Sequence, residues 1–208
     1  MSRDVLYLAS QSPARQKLLT WADITFKVMT HSSDENVEQT QSTFEAYVLA
    51  VAQSKMHSLT LPQPAEVGKP YMFVLTADTL LRNSKTGFIL GKPGTRENAV
   101  KMLTVDLREP AEVVTGCCVQ KYELQDGAWV AGQGANWTTK AVVEFYVDDQ
   151  SIDTYLKLLP QAINCAGAGI VEDHGLSYLK SVSGSYSAVI GLPLYELRQE
   201  LFKLGFKF

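Results

Sequence analysis

The chain has 208 residues, 46% hydrophobic and 20% charged, with a formal net charge of −3, and its pI is near 5.6. This composition is that of a folded globular protein and excludes wholesale disorder, and the length suits one large domain or a two-lobed one over residues 1–208. The lack of a basic excess argues against nucleic-acid binding, and no segment approaches the ~20 apolar residues of a membrane span.

The N-terminal segment predicts a strand that runs into a helix. Val5–Ala9 is apolar enough for a buried strand, and Ser12 followed by Pro13 is typical of a helix start. A helix N-terminus offers unpaired N–H groups to an anion, and here Ser10 and Arg15 would add a hydroxyl and a guanidinium. The alternative is a capped helix with a solvated arginine.

A second helix is predicted from about Ser42 to Leu59, opened by a capping box of Ser42 and Glu45. Lys55 continues the inward stripe of this helix, which is formed by Phe44, Val48 and Val51. A buried ammonium is costly unless it meets an anion, so Lys55 either meets one or extends along the surface.

Asp78 follows the continuous apolar run Tyr71–Leu75, which predicts a strand covered on both faces and ending near Asp78. In open α/β sheets, ligands bind beyond the carboxyl ends of the strands. An aspartate there can hold a divalent metal or accept a proton from water. The alternative is an aspartate that caps a turn.

The remainder alternates between helices and strands, which indicates an α/β fold with a mixed sheet. A loop at Gly91–Gly94 exposes Lys92, either as a phosphate ligand or as an ordinary loop lysine. The other predicted elements are a helix capped by Thr95, strands near Glu112–Lys121 and Ala141–Val147 with a turn at Asp126-Gly127, a helix at Asp149–Leu159, a strand at Leu176–Val182 and a helix from Pro193.

Two further acidic positions are candidates on weaker grounds. Glu35, beside Asp34, lies near the predicted cleft, and Glu172 lies in the glycine-rich stretch 167–175. Taken alone, each is as consistent with a solvated surface carboxylate as with a site.

The order and spacing of these segments resemble the Maf family of nucleotide pyrophosphatases over nearly the whole chain. The matching segments are Leu8–Arg15, Glu35, Lys55, Ala77–Thr79, Gly91–Pro93, Cys165–Gly167 and Gly191–Pro193.

The resemblance implies a mixed twisted sheet with flanking helices and two lobes around a central cleft, as in Maf and inosine-triphosphatase-like enzymes. It also implies cleavage between the α- and β-phosphates of a nucleoside triphosphate, with a divalent cation, Mg²⁺, or Mn²⁺ or Co²⁺ as alternatives. The implied roles are proton acceptor for Asp78, metal ligands for Glu35 and Asp78, and phosphate ligands for Ser10, Arg15, Lys55 and Lys92.

Base preference is expected to depend on Ala14, Thr79 and Glu172, where the family's patterns are mixed in this chain. Thr79 resembles the dTTP/UTP enzymes. Glu172 and the Cys165–Gly167 motif resemble the 7-methyl-GTP branch, and a carboxylate can accept hydrogen bonds from a guanine edge. The sequence slightly favours 7-methyl-GTP, with dTTP/UTP hydrolysis and a catalytically silent nucleotide-binding regulator as alternatives.

Three cysteines, Cys117, Cys118 and Cys165, show no zinc-ligand spacing, and their odd number argues against a disulfide framework. The N-terminal apolar run is broken at Ser10, so no secretory signal is predicted. The expectation is a cytoplasmic protein without nucleic-acid or membrane partners, with homodimer formation left open.

Overall fold

Helices and strands alternate through the residues that the computed structural model describes, which are 3–30, 32 and 43–208. The strands are β1 (Leu6–Leu8), β2 (Phe26–Val28), β3 (Tyr71–Asn83), β4 (Ile89–Leu90), β5 (Ala111–Gln125), β6 (Ala128–Phe145) and β7 (Leu179–Gly184). The α-helices are α1 (Pro13–Trp21), α2 (Phe44–His57), α3 (Pro64–Val67), α4 (Arg96–Lys101), α5 (Ile152–Leu158), α6 (Tyr186–Ile190) and α7 (Leu194–Lys203). A π-helical turn follows α4 at Met102–Asp106, and 3₁₀ turns lie at Pro160–Asn164, Ala166–Ala168 and Asp173–Tyr178.

The strands form one mixed sheet in the order β2-β1-β3-β5-β6-β7, and β4 pairs with β3. β1 is parallel to both of its neighbours, while β3–β4 and β6–β7 are antiparallel. The mixed α/β class predicted from the sequence is therefore confirmed. In the described part of the chain, no helix is long and apolar enough to cross a bilayer.

The first two helix starts agree with the sequence to different degrees. Ser12 caps α1, accepting a hydrogen bond from the Arg15 amide, and Pro13 is the first helical residue, as predicted. The predicted cap of α2 was wrong by one position: Thr43 accepts from the Ala46 amide at 3.1 Å, and Ser42 lies outside the described residues. Either hydroxyl residue could serve, because Ser and Thr are both good N-caps.

Strand β3 is longer than the sequence predicts, so the expectation that it ends before Asp78 was wrong. Its first half is parallel to β1, with Leu75 opposite Leu8. Its last residues are antiparallel to β4, with Leu81 opposite Leu90. The apolar run covers only the first of these pairings. Between Leu75 and Leu81 the strand continues through Asp78, and its other neighbour in the sheet is β5.

The later strands also differ in length from their predictions. β5 continues past the predicted 112–121 to Gln125, and β6 begins at Ala128, well before the predicted 141–147, and ends at Phe145. The additional residues are half-exposed or exposed, so no buried apolar run marks them in the sequence. The predicted turn between them is confirmed, with positive φ at Asp126 (50°) and Gly127 (80°). β7 lies at Leu179–Gly184 rather than 176–182, and the terminal helix packs Leu197 and Leu201 inward as predicted.

The chain divides into two compact units. Unit 1 comprises Met1–Asp78, Thr115–Thr138 and Gly191–Phe208, and unit 2 comprises Thr79–Val114 and Thr139–Ile190. In unit 1 one buried cluster consists of Tyr7, Ala9, Met72 and Val74. The buried cluster of unit 2 includes Leu81, Leu90, Leu103, Phe145, Tyr155 and Leu156. The prediction of a cleft between two lobes stays a prediction.

Helix α2 is held against the sheet of unit 1 by two close contacts. A Cβ on Gly116 of β5 would lie 2.9 Å from the Leu49 Cα, so only glycine permits this approach. The buried Thr76 hydroxyl of β3 donates a hydrogen bond to the Ala52 carbonyl at 2.8 Å. These contacts fix the helix one turn before Lys55.

A buried carboxylate, Asp4, connects the entries to β1 and β3 with the C-terminal segment. Asp4 is 1% exposed and accepts hydrogen bonds from Lys69 Nζ (2.5 Å), Tyr71 OH (3.1 Å) and the Lys207 amide (2.9 Å). Burial alone would raise the pKa of Asp4, but the hydrogen bonds from these three donors outweigh it and hold the pKa below its ordinary value.

Candidate functional site

Arg15 is buried at the start of α1 rather than solvated, so the solvated alternative was wrong. Arg15 and Ser10 are 8% and 5% exposed. The guanidinium donates from Nε to the Gly191 carbonyl at 2.8 Å and from NH1 to Ser10 Oγ at 3.0 Å. Two fixed acceptors therefore orient this cation at the point where β1 leads into α1.

Lys55 and Asp78 form a buried ion pair. The Lys55 Nζ lies 2.7 Å from Asp78 Oδ1, and the two side chains are 5% and 12% exposed. Of the two possibilities for Lys55, the structure selects the inward one, in which the ammonium meets an anion. Asp78 lies within β3, so the turn-capping alternative was wrong as well.

Arg15 with Ser10, and Lys55 with Asp78, meet the sheet of unit 1 at neighbouring strands, because Ser10 follows β1 and Asp78 lies on β3. The Ala9 amide donates to the Leu75 carbonyl at 2.9 Å, so Ser10 leaves β1 beside the stretch of β3 that carries Asp78. This is the carboxyl end of parallel strand β1, where ligands bind in α/β sheets.

The charges of Arg15 and Asp78 also act on the buried thiol of Cys117 on β5. Burial raises the pKa of Cys117 far above its ordinary value; Arg15 opposes the rise, whereas Cys118, Glu196 and Asp78 add to it. Arg15, Asp78 and Glu196 therefore lie within electrostatic range of one thiol.

Glu196 is a site candidate that the sequence reasoning missed. It is the third residue of α7, where a glutamate can bond to the N-cap amide, but the cap of this helix is Pro193, which has no N–H. Its Oε2 atom is buried and makes no hydrogen bond within the described residues. The signal in the sequence was a glutamate three residues after a proline N-cap, since the proline offers no N–H to which the carboxylate could bond.

The predicted site residues Lys92 and Glu172 both lie in unit 2. The exposed Lys92 loop is tied to the glycine-rich segment, since Gly167 N donates to the Gly91 carbonyl at 3.0 Å. Burial raises the pKa of the Cys165 thiol, Glu172 raises it further and Lys92 opposes the rise. Both charges therefore lie near Cys165.

The structure thus places the predicted residues in two groups, Ser10, Arg15, Lys55 and Asp78 in unit 1 and Lys92 and Glu172 in unit 2. Their convergence on one nucleotide stays a prediction. Ala14 and Thr79 are half-buried on α1 and β3. Asp34 and Glu35 lie outside the described residues.

Metal binding also stays a prediction. Among the residues that the structure describes, no group of three or more His, Cys, Asp or Glu side chains is placed to hold a metal ion. The Asp78 carboxylate, which pairs with Lys55, offers oxygen atoms of the hard type that Mg²⁺ prefers as ligands.

The chain matches the family model described as Maf-like protein over residues 5–204. It is 34% identical to a dTTP/UTP pyrophosphatase of Colwellia psychrerythraea, covering 97% of this chain and 89% of the relative. Proteins of the same name from Anaeromyxobacter dehalogenans (34%; 97% and 94% covered) and Neisseria meningitidis serogroup B (30%; 98% and 96% covered) are similarly close. A HAM1 protein from Coxiella burnetii has a TM-score of 0.34 at 17% identity over 68% of this chain and 73% of that one, too weak a likeness to support an argument. The family match and these identities show that the chain belongs to the Maf-like protein family.

Proposed function

We propose that this enzyme hydrolyses the α–β phosphoanhydride of dTTP or UTP, giving the nucleoside monophosphate and pyrophosphate. Nucleotide pyrophosphatase activity is supported by family membership and by the three relatives named for it. The same names favour a pyrimidine nucleotide over 7-methyl-GTP, which the sequence had slightly favoured.

The observation that carries the proposal is the buried pair of Lys55 and Asp78, 2.7 Å apart beside the end of β1. A buried ion pair is a weak source of stability, so its presence next to a phosphate-type site points to chemistry. In the proposed reaction Asp78 accepts a proton from the attacking water, the water oxygen bonds to phosphorus and the bond to the leaving pyrophosphate breaks. Lys55 would orient the carboxylate and neutralise charge on the phosphates.

Arg15 and Ser10 would bind phosphate oxygens at the start of α1. The guanidinium is already held by Gly191 and Ser10, so little side-chain ordering remains to be done when the substrate binds. Asp78 and Glu35 would hold the divalent cation, which when bound supplies positive charge to the triphosphate.

Base selection would depend on Glu172 in unit 2 and on Ala14 and Thr79. Thr79 is consistent with the dTTP/UTP relatives. Glu172, whose charge acts on the Cys165 thiol, resembles the 7-methyl-GTP branch instead, so dTTP and UTP must be compared directly with purine nucleotides.

The test is a panel of dTTP, UTP, GTP and 7-methyl-GTP with Mg²⁺, scored for pyrophosphate and for monophosphate, with Asp78→Asn as the inactive control. We expect dTTP and UTP to have the highest kcat/KM, with loss of turnover in the control. Preference for 7-methyl-GTP would overturn the pyrimidine assignment. Release of orthophosphate, or tight binding without any product, would overturn the pyrophosphatase mechanism itself.

A further inference from the structure

The loop that carries Glu172 has a strained main chain. Gly167 and Ala168 are successive residues with positive φ, 64° and 59°, and Asp173 follows Glu172 with φ 51°. Ala168 is fully buried, so its left-handed conformation is not a surface irregularity. Residues with a side chain adopt this conformation at a cost, and they keep it only where the surroundings enforce it.

A buried tyrosine holds the main chain of the first part of this loop in its conformation. Tyr155 of α5 is fully buried, and its hydroxyl donates to the Ala168 carbonyl at 2.7 Å and accepts from the Ile170 amide at 2.9 Å. One hydroxyl thus satisfies the main chain on both sides of Gly169. Burial raises the pKa of Tyr155 well above its ordinary value, so this hydroxyl keeps its proton at neutral pH.

A second tyrosine and a glycine fix the next residues. The Tyr186 hydroxyl donates to the Val171 carbonyl at 2.5 Å, immediately before Glu172. Gly175 donates its amide to the Glu172 carbonyl at 2.9 Å. A Cβ on Gly175 would lie 1.7 Å from the Ile170 carbonyl oxygen, so this close approach requires glycine.

We propose that Tyr155 and Tyr186 are positioning residues for base selection, holding the main chain of residues 168–172 so that the Glu172 carboxylate meets the nucleotide base in one orientation. The proposal rests on the proposed nucleotide pyrophosphatase function. Neither tyrosine contacts the reacting phosphates in this scheme; both act through the backbone that carries Glu172. Strain that is held by specific side chains is typical of functional loops.

The test compares Tyr155→Phe and Tyr186→Phe with Tyr178→Phe as a matched control. The Tyr178 ring packs 5.2 Å from that of Tyr155, but its hydroxyl makes no hydrogen bond within the described residues. For Tyr155→Phe we expect KM for the preferred nucleotide to rise about tenfold, which corresponds to about 1.4 kcal/mol, a part of the cost of the two hydrogen bonds that the loop loses. We expect kcat to change less than about twofold and Tyr178→Phe to behave as wild type.

Two further measurements separate positioning from general stability. Amide hydrogen exchange should accelerate at Ile170 in Tyr155→Phe and not in the control. In a Glu172→Gln background, Tyr155→Phe should cause no further change in the ratio of kcat/KM between dTTP and GTP. Because Tyr186 is partly exposed and its replacement spares the core, Tyr186→Phe tests the idea even if Tyr155→Phe unfolds.

An active wild-type enzyme whose tyrosine variants keep the same KM and the same nucleotide selectivity would overturn this inference alone. A wild-type enzyme that releases no pyrophosphate from any nucleotide would instead overturn the proposed function. A loss of kcat with unchanged selectivity in both variants would assign the tyrosines to the chemical step and contradict the positioning role.

Discussion

Removing the ammonium of Lys55 should destabilise the protein far more than breaking an exposed ion pair. In Lys55→Met the Asp78 carboxylate, 12% exposed, loses the ammonium 2.7 Å away that compensates its burial. Breaking a buried pair from one side costs about 3–5 kcal/mol. For a chain of this length that corresponds to a fall in Tm on the order of 10 °C.

Asp78→Asn and the double variant complete a double-mutant cycle, which gives the interaction energy of the pair apart from the other contacts of each residue. Asp78→Asn leaves the buried ammonium of Lys55 without its counter-charge but keeps an oxygen acceptor for it, so its cost should not exceed the same range of about 3–5 kcal/mol. The double variant has neither charge, so it should be more stable than Lys55→Met alone, with a coupling energy of about 2 kcal/mol or more.

Urea unfolding of the four proteins, followed by far-UV circular dichroism, gives the free energies of unfolding. Lys85→Met is the control, because Lys85 pairs with Glu109 at a similar distance, 2.7 Å, but the side chains are 71% and 43% exposed. Its midpoint should stay close to that of wild type. Additive effects of the two substitutions, or a loss under about 1 kcal/mol in Lys55→Met, would refute the reasoning that burial makes this pair costly to break.

Two further predictions concern the frame around the site. Asp4→Asn should cost about 2 kcal/mol at neutral pH, because Asp4 is buried and accepts a charge-assisted bond from Lys69. The fold lowers the pKa of Asp4, so its contribution to the free energy of unfolding is fully present above its unfolded pKa of about 4 and is lost as the pH falls through the folded value. The urea midpoints of wild type and Asp4→Asn should therefore converge in acid. A gap between the midpoints that stays constant with pH would count against this role of Asp4. Gly116→Ala should cost about 1–3 kcal/mol, because the added Cβ would lie 2.9 Å from the Leu49 backbone; an unchanged thermal midpoint would contradict that close packing.

The sequence predicted the local features of this fold well and the long-range pairings poorly. Ser12, Pro13 and the Asp126-Gly127 turn were readable because caps and tight turns depend on a few adjacent residues. The length of β3 was not readable, because its later part depends on neighbours from other segments of the chain, β4 and β5. No local pattern in the chain records those neighbours.

The candidate site shows the same division. The helical spacing placed Lys55 on an inward stripe and left two alternatives, a buried ammonium with an anionic partner or a side chain extended along the surface, and the structure shows the first. The identity of that partner, the Gly191 carbonyl that fixes Arg15 and the buried oxygen of Glu196 all depend on contacts between distant segments. A sequence without structure could rank these residues as candidates but could not pair them.

The loop of residues 167–175 also bears on how such enzymes can diversify. Its main chain is fixed by hydroxyl groups that belong to two separate helices, α5 and α6, and by the absence of a side chain at Gly175. These contacts act on the main chain, so the path of the loop is set largely by residues other than the one proposed to meet the base. A codon change at 172 would then alter the group offered to a substrate while these main-chain contacts remain, so that selection can act on recognition and on the scaffold at separate positions.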